Sequence, residues 1–212
     1  MLSKTAKLDG IYSWSLTAGA DCPGRVNLTT GLLAQVCEGC YATGGNYRFP
    51  NVQAVRTENK RDWASRDWED RMVADLQGQE YFRWFDSGDA YSLTLARKIL
   101  RVMERTPDTK HWFATRMGKF PKFAPVLAEM QSLPNVMVRF SADDVGTYGA
   151  EHSCMVFDPA GTVPDGVTAC SAYVAEGDKV AKCHGCRACW DKSVPVIGYK
   201  AHGRKMIKLL EV

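Results

Sequence analysis

The chain has 212 residues, 45% of them hydrophobic and 24% charged, with a formal net charge of +3 at pH 7. This length suits one domain, or one domain with a small appendage, and is enough to bury a core. The charge is too small to indicate nucleic-acid binding by itself, and no apolar run of about 18 residues or more is present to span a membrane.

The first ten residues include Lys4, Lys7 and Asp9 and no apolar signal-peptide core. The expected compartment is therefore a reducing cytoplasm, where clustered cysteines more often hold metals than disulfides. From Gly10 to Leu16, aromatic and aliphatic residues alternate with serine, which predicts a first strand. A loop follows with Cys22-Pro23-Gly24, then Cys37-Glu38-Gly39-Cys40-Tyr41, and turn chemistry at Gly44-Gly45-Asn46-Tyr47. Between Val52 and Gln77, the spacing of Trp63, Trp68, Met72, Val73 and Leu76 predicts one or two amphipathic helices.

Tyr81 to Phe85 reads as an aromatic strand ending in Asp86-Ser87-Gly88-Asp89. A helix is predicted over Leu93 to Glu104 and a strand over His111 to Arg116. A second helix, from Phe123 to Met130, has Pro121 and Pro125 near its start. Val136 to Phe140 is a strand ending in Ser141-Ala142-Asp143-Asp144, and Met155 to Phe157 a short one. A cysteine-rich segment occupies about Thr168 to Trp190, and Val194 to Tyr199 is the last predicted strand.

Strands alternating with helices predict an α/β protein with a parallel sheet. About five or six βα units fall short of a closed barrel, so the expected architecture is a partial, open (βα)6-type barrel. It would span residues 1–160, with a cysteine-rich segment at 161–212 packed on it as one compact unit. A Rossmann-like sheet is the competing arrangement, but no G-x-G-x-x-G follows the first strand. In βα barrels the carboxyl ends of the strands carry the site. Ser87, Gly88, Asp89, Arg116 and Ser141 stand at such ends and are the candidate contacts for a bound small molecule. Asp86 and Asp89, flanking Gly88, are candidates for a polar ligand contact and equally suit the N-cap of the following helix. Arg83 and Arg139 lie inside predicted strands, where acidic partners are expected.

Seven of the eight cysteines fall into two groups, Cys22, Cys37 and Cys40, and Cys170, Cys183, Cys186 and Cys189. Two-residue gaps let neighbouring thiolates converge on one ion or cluster. The second group, C-x12-C-x2-C-x2-C, resembles a loop that wraps a cubane cluster and supplies four thiolates. Lys182 and Arg187 would offset its negative charge, and Trp190 would shield it from water. A four-cysteine zinc site and a disulfide arrangement are the alternatives. Three thiolates from the first group would leave one iron open to a small molecule. Its alternatives are zinc with a fourth ligand from Cys154 or a histidine, and plain thiols packed as small hydrophobes. His111, His152, His184 and His202 form no H-x-x-H pattern, and a surface or capping role is expected of each. The basic tail (Lys200, Arg204, Lys205, Lys208) reads as a solvated face.

Three cysteines after a first strand, Tyr41 beside the last of them, and Ser87-Gly88-Asp89 after the second strand resemble the radical S-adenosylmethionine superfamily. That superfamily's usual spacing is C-x3-C-x2-C, whereas fourteen residues separate Cys22 from Cys37 here. The resemblance implies a [4Fe-4S] cluster at Cys22, Cys37 and Cys40 whose open iron chelates the methionine moiety of S-adenosylmethionine. Reduction of the cluster then cleaves the sulfonium. It also implies an auxiliary cluster at the four C-terminal cysteines, so one cluster or two.

The runs Cys22-Pro23-Gly24, Cys37-Glu38-Gly39-Cys40-Tyr41-Ala42 and Gly45-Asn46-Tyr47 resemble the N-terminal signature of the phage gene product 88 family. Cys183-His184-Gly185-Cys186-Arg187-Ala188-Cys189-Trp190 and Tyr199-Lys200-Ala201-His202 resemble its C-terminal signature. This resemblance implies a phage origin, hence a host-cell cytoplasm, and a cofactor rather than a named reaction. Three functions therefore compete: a radical-enzyme-like iron–sulfur protein, a non-catalytic [4Fe-4S] redox or regulatory protein, and a zinc-stabilised module binding nucleic acid or a host protein. The expected partners are a small-molecule cofactor or a redox protein, with nucleic acid not indicated by the charge and no membrane.

Overall fold

The computed structural model describes residues 1–149, 151–173 and 182–211. Residues 174–181 of the cysteine-rich segment thus lie outside the described residues. Eight strands form one sheet: β1 (Ser3–Lys4), β2 (Tyr12–Trp14), β3 (Tyr81–Trp84), β4 (Lys110–Thr115), β5 (Val136–Ser141), β6 (Ser153–Phe157), β7 (Val167–Ala169) and β8 (Val196–Lys200). Their spatial order is β1-β2-β3-β4-β5-β6-β8-β7. Among the described strands of the sheet, β1 and β2 pair antiparallel and the pairs from β2 onward are parallel.

From β2 to β6 each strand lies beside the one before it. A Rossmann-like sheet reverses its order at a switch point, so this succession excludes that alternative for the described strands. The sheet is open, with β1 and β7 at its edges. Residues 161–212 supply β7 and β8, and β8 pairs with β6 along its length.

The described residues also form helices α1 (Gln35–Glu38), α2 (Pro50–Asp62), α3 (Trp68–Leu76), α4 (Leu93–Glu104), α5 (Ala124–Ser132) and α6 (Arg204–Leu210), with short 3-10 turns between elements. α2 starts on Pro50, whose missing N–H costs nothing at a first helical position. α3 turns Trp68, Met72 and Leu76, four residues apart, onto one buried stripe. α4 is capped by Ser92, whose hydroxyl accepts from the Leu95 N–H at 3.2 Å. Asp86 and Asp89 do not cap it.

The period-two alternation of the strands sorts their side chains onto two faces. Trp14, Phe82, Trp84, Phe113, Val136 and Val138 face α3, α4 and α5 and form the main core. Trp14 touches Trp68, Trp84 and Phe85 edge to face, the geometry aromatic quadrupoles favour. The other face carries Tyr81, Trp112, Ala114 and Tyr199. It is covered by Leu8 from the amino-terminal segment and by Cys183, Cys189 and Trp190.

Trp190 is buried there. Its Nε1 donates to the Phe82 carbonyl at 2.9 Å, and its ring meets Trp112 and Tyr81 edge to face. The cysteine loop is thus held on the sheet face away from α2 to α5. Arg139 is fully buried beneath it. Its guanidinium donates to the carbonyls of Ala188, Cys189, Asp191 and Val194 at 2.9–3.0 Å. Carbonyl oxygens, not the expected carboxylates, hold this cation. Arg83 does take an acidic partner, Asp86, at 2.8 Å.

His111 departs from its expected surface role. It is 0% exposed within β4, between Trp84 and Thr106. No helix among the described residues is long and apolar enough to cross a membrane.

Candidate functional site

A cavity of about 770 Å³ opens where the parallel strands end and runs along the face away from α2 to α5. All five predicted contact residues, Ser87, Gly88, Asp89, Arg116 and Ser141, line it. So do Cys22, Cys37 and Cys40, and from the C-terminal group Cys170, Cys183 and Cys189. Cys154, which has no spacing relation to either group, also lines it. Cys186 is exposed and lies off the cavity wall.

The N-terminal thiols are set by short local structures. Cys22 immediately precedes the 3-10 turn Pro23–Arg25, Cys37 sits in α1, and Cys40 follows it. α1 is fixed by the loop after β5. The Val36 N–H donates to the Asp143 carbonyl at 3.0 Å, and Gln35 Oε1 accepts from the Val145 N–H at 2.9 Å. Between the two cysteines, Gly39 lies so close to α6 that a Cβ there would stand 2.8 Å from Met206 Cα. Burial pushes the Cys22 thiol up to about 11 and raises Cys37 as well, with the Arg116 cation pulling Cys37 back.

The strand ends are braced to one another. Asp89, 6% exposed, accepts from the Ala90 N–H and the Thr115 hydroxyl at 2.8 Å and from the Arg116 N–H at 2.9 Å. Burial pushes its carboxyl above the ordinary value, and those three donors oppose the shift. The Ser87 hydroxyl donates to the Leu16 carbonyl at 2.6 Å and accepts from Arg56 Nε at 2.5 Å. Gly88 has φ +78°, and a Cβ there would lie 2.5 Å from Leu16 Cβ, so glycine is required. Arg116 donates to the Ala142 carbonyl through Nε at 3.2 Å and Nη2 at 3.1 Å. Lys119 binds the Asp143 carboxylate and the carbonyls of Gly24 and Val26, tying the N-terminal cysteine loop to the end of β5.

Deeper on the same face, the Tyr199 hydroxyl lies 3.3 Å from Cys189 Sγ and 3.9 Å from Cys154 Sγ. The Cys183 N–H donates to the Lys7 carbonyl at 2.9 Å, and the Cys170 N–H to the Gly198 carbonyl at 2.7 Å. Burial pushes Cys183 up to about 11 and Cys189 up to about 12, and raises Cys154. Neutral, buried thiols of this kind shed protons when they ligate a metal. The expected charge partner Arg187 is taken by Asp9 at 2.9 Å, and Lys182 is exposed. The fully buried Arg139 lies beside Cys154 and Cys189, and the half-buried Lys7 beside Cys170 and Cys183.

Two buried donors on this wall have no acceptor among the described residues, Trp112 Nε1 and Arg83 Nε. The Arg83 guanidinium lies over the Trp112 ring, 4.4 Å from its centroid. Leaving such donors unpaired in a dry interior costs about 1–3 kcal/mol each; Trp14 Nε1 and Trp68 Nε1 in the main core are unpaired as well, but the two on this wall adjoin space that an acceptor-bearing occupant could fill. Thiols are soft donors that select iron–sulfur clusters, zinc or copper(I). Among the described residues, no group of three or more His, Cys, Asp or Glu side chains is close enough to hold a single metal ion.

Sequence reasoning missed Tyr199, Trp112 and Arg83 as cavity residues and offered Cys154 only as a possible fourth ligand of the N-terminal group. Cys154 carries no spacing signal. The only trace of the others was strand parity, which puts them opposite Phe82, Trp84 and Phe113.

Comparison with family models matches residues 2–192 to Gene product 88. The chain belongs to that family, in agreement with its two cysteine signatures. Comparison with curated proteins and with solved structures gives no match.

Proposed function

We propose that this member of the Gene product 88 family is an iron–sulfur protein on a partial βα barrel, with its thiols arranged around a small-molecule pocket. One observation carries the reading: six of the seven cysteines at metal-ligand spacing line one cavity at the ends of a sequentially ordered parallel sheet. Cys22, Cys37 and Cys40 would hold a [4Fe-4S] cluster at the mouth, and the C-terminal thiols a second one deeper in. Such a group supplies one-electron chemistry and, where an iron is left open, a binding point for S-adenosylmethionine.

The chain's own residues give the pocket its character. Arg116 sets positive charge beside Cys37, and Lys200 and Lys205 add more at the mouth. His202 stacks on Tyr41, with ring centroids 5.4 Å apart, and closes one side of the entrance. Trp112 and Trp190 keep the deeper thiols dry. A single zinc ion needs sulfurs at about 2.3 Å from one centre. Thiols spread around a cavity of about 770 Å³ suit a larger group better.

A second reading has its own support. The Ser87 hydroxyl and the Asp89 carboxylate are engaged by protein partners. Braced strand ends suit a non-catalytic redox or regulatory protein that takes no S-adenosylmethionine.

Anaerobic purification with iron, zinc and acid-labile sulfide counted per chain tests both readings. About eight iron and eight sulfide supports two clusters, and about four of each supports one. Zinc without sulfide overturns the iron–sulfur reading. Deoxyadenosine formed from S-adenosylmethionine under reduction, with a change in the cluster's spectrum on binding, separates the catalytic reading from the second.

A further inference from the structure

We propose that Cys154, rather than Cys186, completes the deeper thiolate set with Cys170, Cys183 and Cys189. The assignment rests on the iron–sulfur reading above and concerns which side chains realise it.

The sheet register brings Cys154 to the others. Cys154 on β6 pairs with Ser141 on β5 and with Ile197 on β8. Its side chain therefore shares a face with Tyr199, two residues along β8 from Ile197. The Tyr199 hydroxyl lies within 3.9 Å of Cys154 Sγ and 3.3 Å of Cys189 Sγ, so one phenol spans the two thiols. Cys189 is held over β5 by Arg139, whose Nε takes its carbonyl at 3.0 Å. Cys170 is anchored to β8 through the Gly198 carbonyl. The thiols of β6, the β7–β8 edge and the cysteine loop thus line the same cavity.

Cys186 is turned the other way. His184 and Gly185 both have positive φ, +47° and +80°, and reverse the chain between Cys183 and Cys186. Asp9 fixes that reversal, accepting from the Gly185 N–H at 3.0 Å and from Arg187 Nη1 at 2.9 Å. The outcome is an exposed Cys186 off the cavity wall. Independently, Trp112 Nε1 is buried on the wall beside Cys183 with no acceptor among the described residues.

The test uses the full chain with Cys22, Cys37 and Cys40 changed to serine, so that only the deeper set is read. After anaerobic reconstitution with ferrous iron and sulfide, about four iron per chain are expected. Adding Cys186→Ser should leave that count unchanged, and adding Cys154→Ser should lower it at least twofold. Loss of iron with Cys186→Ser and retention with Cys154→Ser overturns the assignment. Because Cys154→Ser alters a buried position, alkylation of the reconstituted wild-type chain gives a second readout. Cys186 should react with iodoacetamide as fast as before loading; protection on loading overturns the assignment. If the wild-type chain takes up no iron and sulfide at all, the iron–sulfur reading itself fails, a result distinct from a wrong fourth ligand.

Discussion

Arg139 Nε donates to the Cys189 carbonyl at 3.0 Å, linking a central strand to the loop that carries three cysteines. The same guanidinium takes three further carbonyls between Ala188 and Val194. A buried cation held by carbonyls leaves its charge available to neighbouring thiolates, which suits a set of ligands that must ionise.

Arg139→Met should therefore act on both stability and metal content. Hydrogen bonds to charged groups contribute about 1.5–3 kcal/mol each, and four part-buried carbonyls would lose their donor. Non-additivity keeps the total below the sum, so a loss of roughly 3–5 kcal/mol is expected in urea unfolding. Iron bound in the Cys22, Cys37 and Cys40 triple-serine background should fall, while an Arg187→Met control should leave the stability within about 1 kcal/mol.

Asp89→Ala should be a stability variant first. Its carboxylate joins the end of β3 to Thr115 and Arg116 at the end of β4. Removing it leaves the buried Thr115 hydroxyl and the Arg116 and Ala90 amides without their acceptor, a cost of roughly 2–4 kcal/mol. Thermal unfolding of the metal-free chain measures this. An unchanged midpoint together with lost S-adenosylmethionine binding would make Asp89 a ligand contact instead of a brace.

Much of this arrangement was legible in the residues. The run Asp86-Ser87-Gly88-Asp89 breaks a strand pattern with polar residues, Arg116 and Ser141 do the same at the next two strands, and the sheet brings them all to one cavity. β1 and β7, two and three residues long, are too short to show a period. α1 and α6 are short helices held by contacts across the chain: Gly39 against Met206 and Gln35 against Val145. Spacing grouped Cys186 with its neighbours and left Cys154 out, because spacing reports reach along the chain whereas strand register decides which thiols share a face.

Gly39→Ala tests one of those long-range contacts. The added methyl would stand 2.6 Å from Met206 Cε and 2.8 Å from Met206 Cα. The flexible thioether can give way, but the helix backbone cannot, so α6 must move off α1. A loss of roughly 1–3 kcal/mol is expected, as for other overpacked sites. Gly44→Ala, where the nearest atom is 4.0 Å away, is the control and should change little. Equal effects of the two would mean that α6 does not depend on the close approach.

The buried His111 predicts an acid sensitivity independent of any metal. Trp84 Nε1 donates to His111 Nδ1 at 3.2 Å, so that nitrogen is the acceptor and the proton sits on Nε2. Nε2 then donates to Thr106 Oγ1 at 2.9 Å, whose own hydrogen goes to the Val102 carbonyl. Burial holds the imidazole down from its ordinary 6.5 to about 3. Between those values the unfolded chain binds the proton and the folded chain does not. Stability is therefore complete above about pH 6.5 and falls as the pH drops, by up to about 1.4 kcal/mol per pH unit. By pH 5 the metal-free chain should have lost roughly 2 kcal/mol through this group. His111→Leu removes the titration but leaves the Trp84 donor unpaired, at a cost of about 1–3 kcal/mol at pH 7. The gap between wild type and variant in urea unfolding should thus narrow from pH 7 to pH 5. Curves that stay parallel over that interval would show that His111 titrates alike in the folded and unfolded chain.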